Sequence, residues 1–340
     1  MADRNKEITL NKYNWQLLPS KPLERSSHTI NYINNKLYLF GGEHEPRIPI
    51  DNEVHVYDIT SAKWSIAEST SASDQKPCPR IAHSSSVIGD KIYVYAGRVG
   101  VSMGEASLND LYVFDTKTNT WTKLDDGEDD KQSVRPEKRS YHAMCAHKDK
   151  LYVFGGCSAN HGRLNDLFEY DTKANKWTRL NSDEKIAGRG GSLLCNDPEA
   201  DFLYVIAGFC GEELNDMYKF DIAANGWTRI ADLPRKLSVF ACSTVESSKL
   251  KVNGHNVKLI LHGGEIDPST IGHNGAGEFS NDTYIFDGTN WHMLDNSSPL
   301  KPTSRGWHAA CFSSADDTFY IFGGLLENVL RNNELWSLNF

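Results

Sequence analysis

The chain has 340 residues, a formal net charge of -9 and a hydrophobic share of 39%. The acidic balance excludes the electrostatic footprint of a nucleic-acid or anionic-membrane binder, and no window approaches the roughly 20 apolar residues of a membrane span. Seven cysteines, odd in number and never in a Cys-x-x-Cys pair, argue against a disulfide framework and against a thiolate zinc site.

In chain order, the polar start Met-Ala-Asp-Arg-Asn-Lys lacks the apolar core of a signal peptide. This predicts a cytoplasmic or nuclear, reducing setting. Next, Tyr13-Asn-Trp15-Gln-Leu-Leu18 reads as a short strand carrying a tryptophan. A segment then recurs six times: Lys36-Leu-Tyr-Leu-Phe-Gly-Gly42, Lys91-Ile-Tyr-Val-Tyr-Ala-Gly97, Lys150-Leu-Tyr-Val-Phe-Gly-Gly156, Phe202-Leu-Tyr-Val-Ile-Ala-Gly208, Lys258-Leu-Ile-Leu-His-Gly-Gly264 and Thr318-Phe-Tyr-Ile-Phe-Gly-Gly324. Each is a short apolar run closing on small residues, as expected of a buried strand whose end needs close approach or positive φ.

After each copy come a loop and a second aromatic strand, such as Asn109-Asp-Leu-Tyr-Val-Phe-Asp115 and Asn165-Asp-Leu-Phe-Glu-Tyr-Asp171. A turn and a tryptophan follow, at Trp64, Trp121, Trp177, Trp227 and Trp291. This is the kelch repeat, a four-stranded blade with a period of about 50 residues. The last copy, Asn333-Glu-Leu-Trp-Ser-Leu-Asn-Phe340, stops before its tryptophan strand, and the segment around 13–18 supplies that strand. The expectation is an all-β chain: residues 1–340 form a single six-bladed kelch β-propeller closed by its N-terminal strand. Closure removes exposed strand edges, and the repeated tryptophans pack between blades.

A propeller does its chemistry where loops converge on one mouth of the channel. Arg25, Arg80, Arg139, Arg189 and Arg305 precede the inner strands at equivalent places, with Arg235-Lys236 nearby in the fifth repeat. They either tie blades together through backbone carbonyls or ring the mouth as an anion site, since guanidinium matches sulfate, phosphate or carboxylate. The loop 265–277 gathers Glu265, Asp267 and His273. Carboxylates and an imidazole with open positions suit divalent iron, manganese or zinc; the alternative is a solvated polar loop. Arg98 directly follows the second glycine copy, where the others have Glu43, Cys157, Phe209, Glu265 and Leu325. It either aims at a bound anion or makes a surface salt bridge.

Arg25-Ser-Ser-His28, Gly97-Arg98, Arg189-Gly-Gly191, Gly264-Glu265, Gly272-His273 and Arg305-Gly-Trp307 resemble the plant specifier proteins of glucosinolate breakdown, over nearly the whole chain. The resemblance implies ferrous iron, Fe(2+), on a Glu-x-x-x-Asp-x-x-x-His pattern. Glu265 and His273 match it, Ser269 stands at the Asp position, and Asp267 is the nearest carboxylate. It also implies that Arg98 and Trp307 help hold a sulfated substrate. Trp307 equally reads as core packing. The implied activity is an iron(II)-dependent lyase that diverts a thiohydroximate O-sulfate toward nitrile-type products, with sulfate leaving. In that reading Arg25, Arg139, Arg189 and Arg305 contribute to anion binding.

The other class of function is a non-enzymatic interaction module, because kelch propellers commonly present loops to protein partners and fold does not fix function. Residues 47–52, 99–108 and 125–137 are the loops that would meet a partner. The acidic run at 125–130 reads as solvated. Expected ligands are therefore a small anionic or sulfated substrate or a protein partner, with no nucleic acid and no membrane.

Overall fold

The computed structural model describes residues 6–7, 13–100, 107–125, 134–268, 270, 277–295 and 298–340. Six four-stranded antiparallel sheets form the blades. Blade 1 runs outward through Thr29–Ile33, Lys36–Phe40, Val54–Asp58 and Lys63–Ile66. The inner strands of blades 2 to 6 are Ser84–Ile88, Ala143–His147, Leu193–Asn196, Ala241–Thr244 and Ala309–Ser313. Each packs on the next, and the sixth packs on the first, so the ring is closed. No helix among the described residues is long and apolar enough to cross a membrane.

The closing strand is the expected one. Asn14–Leu18 pairs antiparallel with Leu335–Asn339 as the outermost strand of blade 6, and Trp15 stands opposite Leu338. A second tie was not legible in the sequence. Lys6–Glu7 runs parallel to Leu250–Val252, which forms a hairpin with His255–Asn256 beside blade 5.

The second strands read as continuous apolar runs because both faces are buried between blades. In Lys36–Phe40, Leu37 and Leu39 enter the core shared with blade 6, while Tyr38 and Phe40 enter the core shared with blade 2. Period-2 alternation therefore divides one strand between two cores. The outer-strand tryptophans sit in the same seams. Trp121 packs on Phe114 of its own blade (ring centroids 5.0 Å) and Phe40 of the preceding one (5.2 Å). Trp177 does the same with Tyr170 and Tyr95, and Trp227 with Phe220 and Phe154. At the end of each second strand the chain crosses an inner strand so closely that side chains are excluded. A Cβ on Gly42 would lie 2.9 Å from the Ser26 carbonyl, and its φ is +102°.

Candidate functional site

Six residues at the entry to the inner strands, Ser27, Ala82, Tyr141, Gly191, Val239 and Trp307, all have left-handed backbone, with φ from +47° to +62°. Their peptide groups form a closed circuit. The Ser27 N–H donates to the Trp307 carbonyl (2.9 Å), Ala82 to Ser27 (3.0 Å), Tyr141 to Ala82 (2.9 Å), Gly191 to Tyr141 (3.0 Å), Val239 to Gly191 (2.8 Å) and Trp307 to Val239 (2.9 Å). Left-handed backbone is costly for a β-branched residue such as Val239, and the circuit's hydrogen bonds hold it there. Below the circuit a channel cavity of about 210 Å³ is bounded by all six inner strands. It widens to about 540 Å³ at the far mouth.

On the other side of the circuit lies the glycine-loop mouth. The residue after each glycine pair bridges to the residue before the circuit: Ser26 to Glu43, Ile81 to Arg98, Ser140 to Cys157, Gly190 to Phe209, Ser238 to Glu265 and Gly306 to Leu325. These six second partners rim the mouth in blade order. Arg98 of blade 2 and Glu265 of blade 5 are three blades apart, so they stand on opposite sides of it.

The arginines that precede the inner strands are fully buried, and their hydrogen bonds run within their own blades. Arg80 donates to the Ala96 carbonyl (2.9 Å) and, with both terminal nitrogens, to Asp110 (2.7 and 3.0 Å). Arg139 repeats this with Gly155 and Asp166, and Arg189 with Ala207 and Asp216. Burial opposes the charge of Arg80 and Arg139, but the bidentate carboxylate outweighs it, and both are held above the usual arginine range. Blades 1 and 6 are looser. Arg25 reaches the Gly41 carbonyl at 2.8 Å and Asp51 at 3.5 Å, and Arg305 reaches Gly323 and Glu334. There burial wins and both arginines are lowered. The guanidiniums of Arg25, Arg139, Arg189 and Arg305 therefore do not make the expected tie from one blade to the next; they brace each blade internally. Each guanidinium is paired with a carbonyl and a carboxylate of its own blade. In blade 5, Arg235 pairs instead with Asp282 (3.4 Å) at a more exposed position.

Arg98 is buried at the rim, and its Nε and Nη2 both donate to the Gly100 carbonyl (3.2 and 3.0 Å). Its charge also reaches its neighbours. Burial raises the Tyr141 hydroxyl and the Cys157 thiol, and Arg98 pulls both back down. Glu43, on the blade-1 part of the same rim, accepts from the Ser26 hydroxyl (3.2 Å), the Ser27 hydroxyl (3.0 Å) and the Arg47 backbone N–H. Arg331 lies 3.7 Å from it. In the sequence Glu43 is the positional equivalent of Arg98 and Glu265, and that equivalence is the signal available for it.

Glu265 is 6% exposed and opens a short hairpin, Glu265–Asp267 with Glu278–Phe279. Phe279 stands opposite Glu265 and packs edge-on against Trp307 (5.8 Å). The fold thus brings Trp307 and the Glu265 hairpin together. Glu213, missed in the sequence, is buried next to them. The Ser238 hydroxyl donates to it at 3.4 Å, and burial, then the charge of Asp267, pushes its carboxyl up. Asp267 is exposed. His273 and Ser269 lie outside the described residues. A different group, Asp51, Glu53 and His55, has its ligand atoms within 4.8 Å of one another. Its Asp51 is the ion-pair partner of Arg25 and lies 3.4 Å from His55. This reads as blade 1's version of the arginine slot.

The comparisons with known proteins agree with this architecture. The KLHDC2/KLHL20/DRC7 Kelch-repeats domain matches residues 27–254. The chain belongs to the kelch-repeat family. This kelch protein is 30% identical over 93% of its length to the N-(sulfonatooxy)prop-2-enimidothioate sulfolyase of Thlaspi arvense, and covers 92% of that protein. It is 25% identical over 93% of its length to the Leucine-zipper-like transcriptional regulator 1 homolog of Drosophila melanogaster, but spans 31% of that much longer chain. It is also 35% identical to Kelch domain-containing protein 1 of Mus musculus over 38% of its own length and 30% of the other's. The specifier-type relationship expected from Gly264-Glu265 and Arg305-Gly-Trp307 is therefore found across nearly the whole chain.

Proposed function

We propose that the glycine-loop mouth is the active site of an iron(II)-dependent lyase of the specifier type, acting on a small sulfated substrate. The reading is supported by one observation above the rest: Arg98 and Glu265 stand on opposite sides of one rim, and Trp307 joins the Glu265 hairpin through Phe279. The full-length relative is named for a sulfolyase reaction on an N-sulfonatooxy imidothioate.

The residues at the hairpin fit a cation. Gly277 approaches so closely that a Cβ there would lie 2.8 Å from Glu265 Oε1, so that oxygen faces a cradle that glycine leaves open. Carboxylate oxygens with an imidazole suit ferrous iron. Glu265, Asp267 and His273 would hold it, and iron bound there supplies a Lewis-acidic centre for the substrate's sulfur. Arg98 offers charge-assisted hydrogen bonds to a sulfate group. Trp307 walls the mouth and keeps water from the substrate. Glu213, with its raised carboxyl, holds a proton beside the hairpin at higher pH than an ordinary glutamate. Arg25, Arg139, Arg189 and Arg305 keep the rim in shape from inside their blades.

The test is anaerobic iron(II) binding by wild type, Glu265→Ala and His273→Ala, followed by product analysis on a thiohydroximate O-sulfate generated in place. Near-stoichiometric iron lost in both variants, with nitrile-type product from wild type, is expected. No iron binding in wild type after anaerobic loading would overturn the reading. A second reading, a protein-interaction module, has its own observation. Ile48 and Leu330 are 54% and 61% exposed, next to residues that flank the Glu43–Arg331 pair. Recovery of one stoichiometric partner that Ile48→Asp and Leu330→Asp release would favour it.

A further inference from the structure

Cys195 and Cys242 are 47 residues apart in sequence, yet their Sγ atoms are 3.9 Å apart. Both are free thiols. The cause is register. Cys195 stands opposite Tyr204, just as Cys145 stands opposite Tyr152 and Cys311 opposite Tyr320. Blade 5 carries its cysteine one residue earlier, opposite Leu261. A one-residue offset turns a strand side chain to the other face. Cys242 therefore faces back toward blade 4 and meets Cys195 in the core between the two blades. Both residues also bound the channel cavity and its widening toward the far mouth. Cysteine spacing alone argued against a thiolate metal site, because no Cys-x-x-Cys pair is present. Ring closure supplies the neighbour that local spacing lacks.

The separation fits a shared metal. With Zn–S bonds of about 2.3 Å, two sulfurs 3.9 Å apart subtend about 116° at the ion, near the tetrahedral angle. Two thiolates neutralise a divalent charge, which suits a wall that is mostly apolar: Tyr204, Leu259, Leu261 and Phe286 pack around the pair. We propose that Cys195 and Cys242 form a two-thiolate site for a thiophilic d10 divalent cation of the zinc class, with its remaining positions open to the channel. Binding breaks two S–H bonds, forms two metal–sulfur bonds and releases two protons to solvent, with no change of oxidation state. Burial, then the contact with Cys195, raises the Cys242 thiol, so affinity falls as pH is lowered. The site lies on the channel side of the backbone circuit and shares no residue with the Glu265 hairpin.

Cadmium is the probe. Reduced, metal-free, full-length protein is titrated with Cd2+ without oxygen, following thiolate-to-cadmium absorption in the ultraviolet. One equivalent saturates the band in wild type and in Cys311→Ser, whose cysteine occupies the matching register in blade 6. Cys195→Ser and Cys242→Ser lose the band while keeping the wild-type circular dichroism. X-ray absorption on the wild-type complex, which needs no variant to fold, finds two sulfur neighbours. The proposal is overturned by no band in wild type, by a band that survives in either Ser variant, by its loss in Cys311→Ser, or by an oxygen-only cadmium shell.

Discussion

Protonation of the buried histidines beside the inner strands should destabilise this propeller as pH falls, and His142→Phe measures one proton of that effect. His28, His83, His142 and His308 follow the backbone circuit and are buried between blades, and His262 joins them from the second strand of blade 5. Burial holds His142 down from 6.5 to about 3, with the Arg139 charge adding to it. His28 and His262 are likewise held at about 3, and His83 and His308 well below 6.5. A depressed folded pKa means that the unfolded chain binds the proton first. Stability is therefore whole above pH 6.5 and is lost as pH falls toward 3. Each such group removes about 1.4 kcal/mol per pH unit in that window. For His142 the drop of about three and a half units corresponds to roughly 5 kcal/mol at the acid end. Phe is the right replacement because blade 5 carries Phe240 at the same place. His142 also packs edge-on to Tyr95 (5.3 Å), a ring contact that phenylalanine keeps, and the swap gives up only a weak bond to the Tyr95 backbone. Urea unfolding of both proteins at pH 7, 6 and 5 gives the slope of stability against pH. The variant's slope is expected to be smaller by about 1.4 kcal/mol per unit. Equal slopes would refute the assignment of a buried, neutral His142.

Three further outcomes follow from the same geometry. Trp15→Ala empties the seam between the closing strand and His262 (ring centroids 5.1 Å) and should cost about 3–5 kcal/mol in denaturant unfolding. Arg139→Ala strands the Asp166 carboxylate and should destabilise by roughly 3–5 kcal/mol, while the KM for a sulfated substrate stays at the wild-type value. Gly277→Ala would put a Cβ 1.8 Å from the Asp267 backbone carbonyl and force the hairpin apart; anaerobic iron titration should find the affinity lost, with the melting temperature lowered as well.

The fold was legible because repetition reports it six times over. Each second strand carries its own burial pattern, and an outer-strand tryptophan marks each seam, so the missing tryptophan of the last copy pointed directly to Trp15. Local patterning of this kind survives without knowledge of what lies across the ring. The site was legible only in part, because its geometry depends on what faces what in a closed ring. Arg25, Arg139, Arg189 and Arg305 carry the right chemistry for an anion, but their Asp and Glu partners lie 26 to 29 residues downstream for Arg25 and Arg305 and 27 for Arg139 and Arg189. Asp166 and Asp216, already visible in the Asn-Asp motifs, and Asp51 and Glu334, which are not, absorb the charge. Glu213 and Glu265 come from different blades and are brought together at Ser238, which donates to Glu213 and bridges Glu265. Cys195 and Cys242 meet because one blade shifts its cysteine by a single position. In a repeat protein the shared residues build the ring, and the departures from the repeat (Arg98, Glu265, Trp307, Cys242) are where two blades can do something together that neither repeat encodes alone.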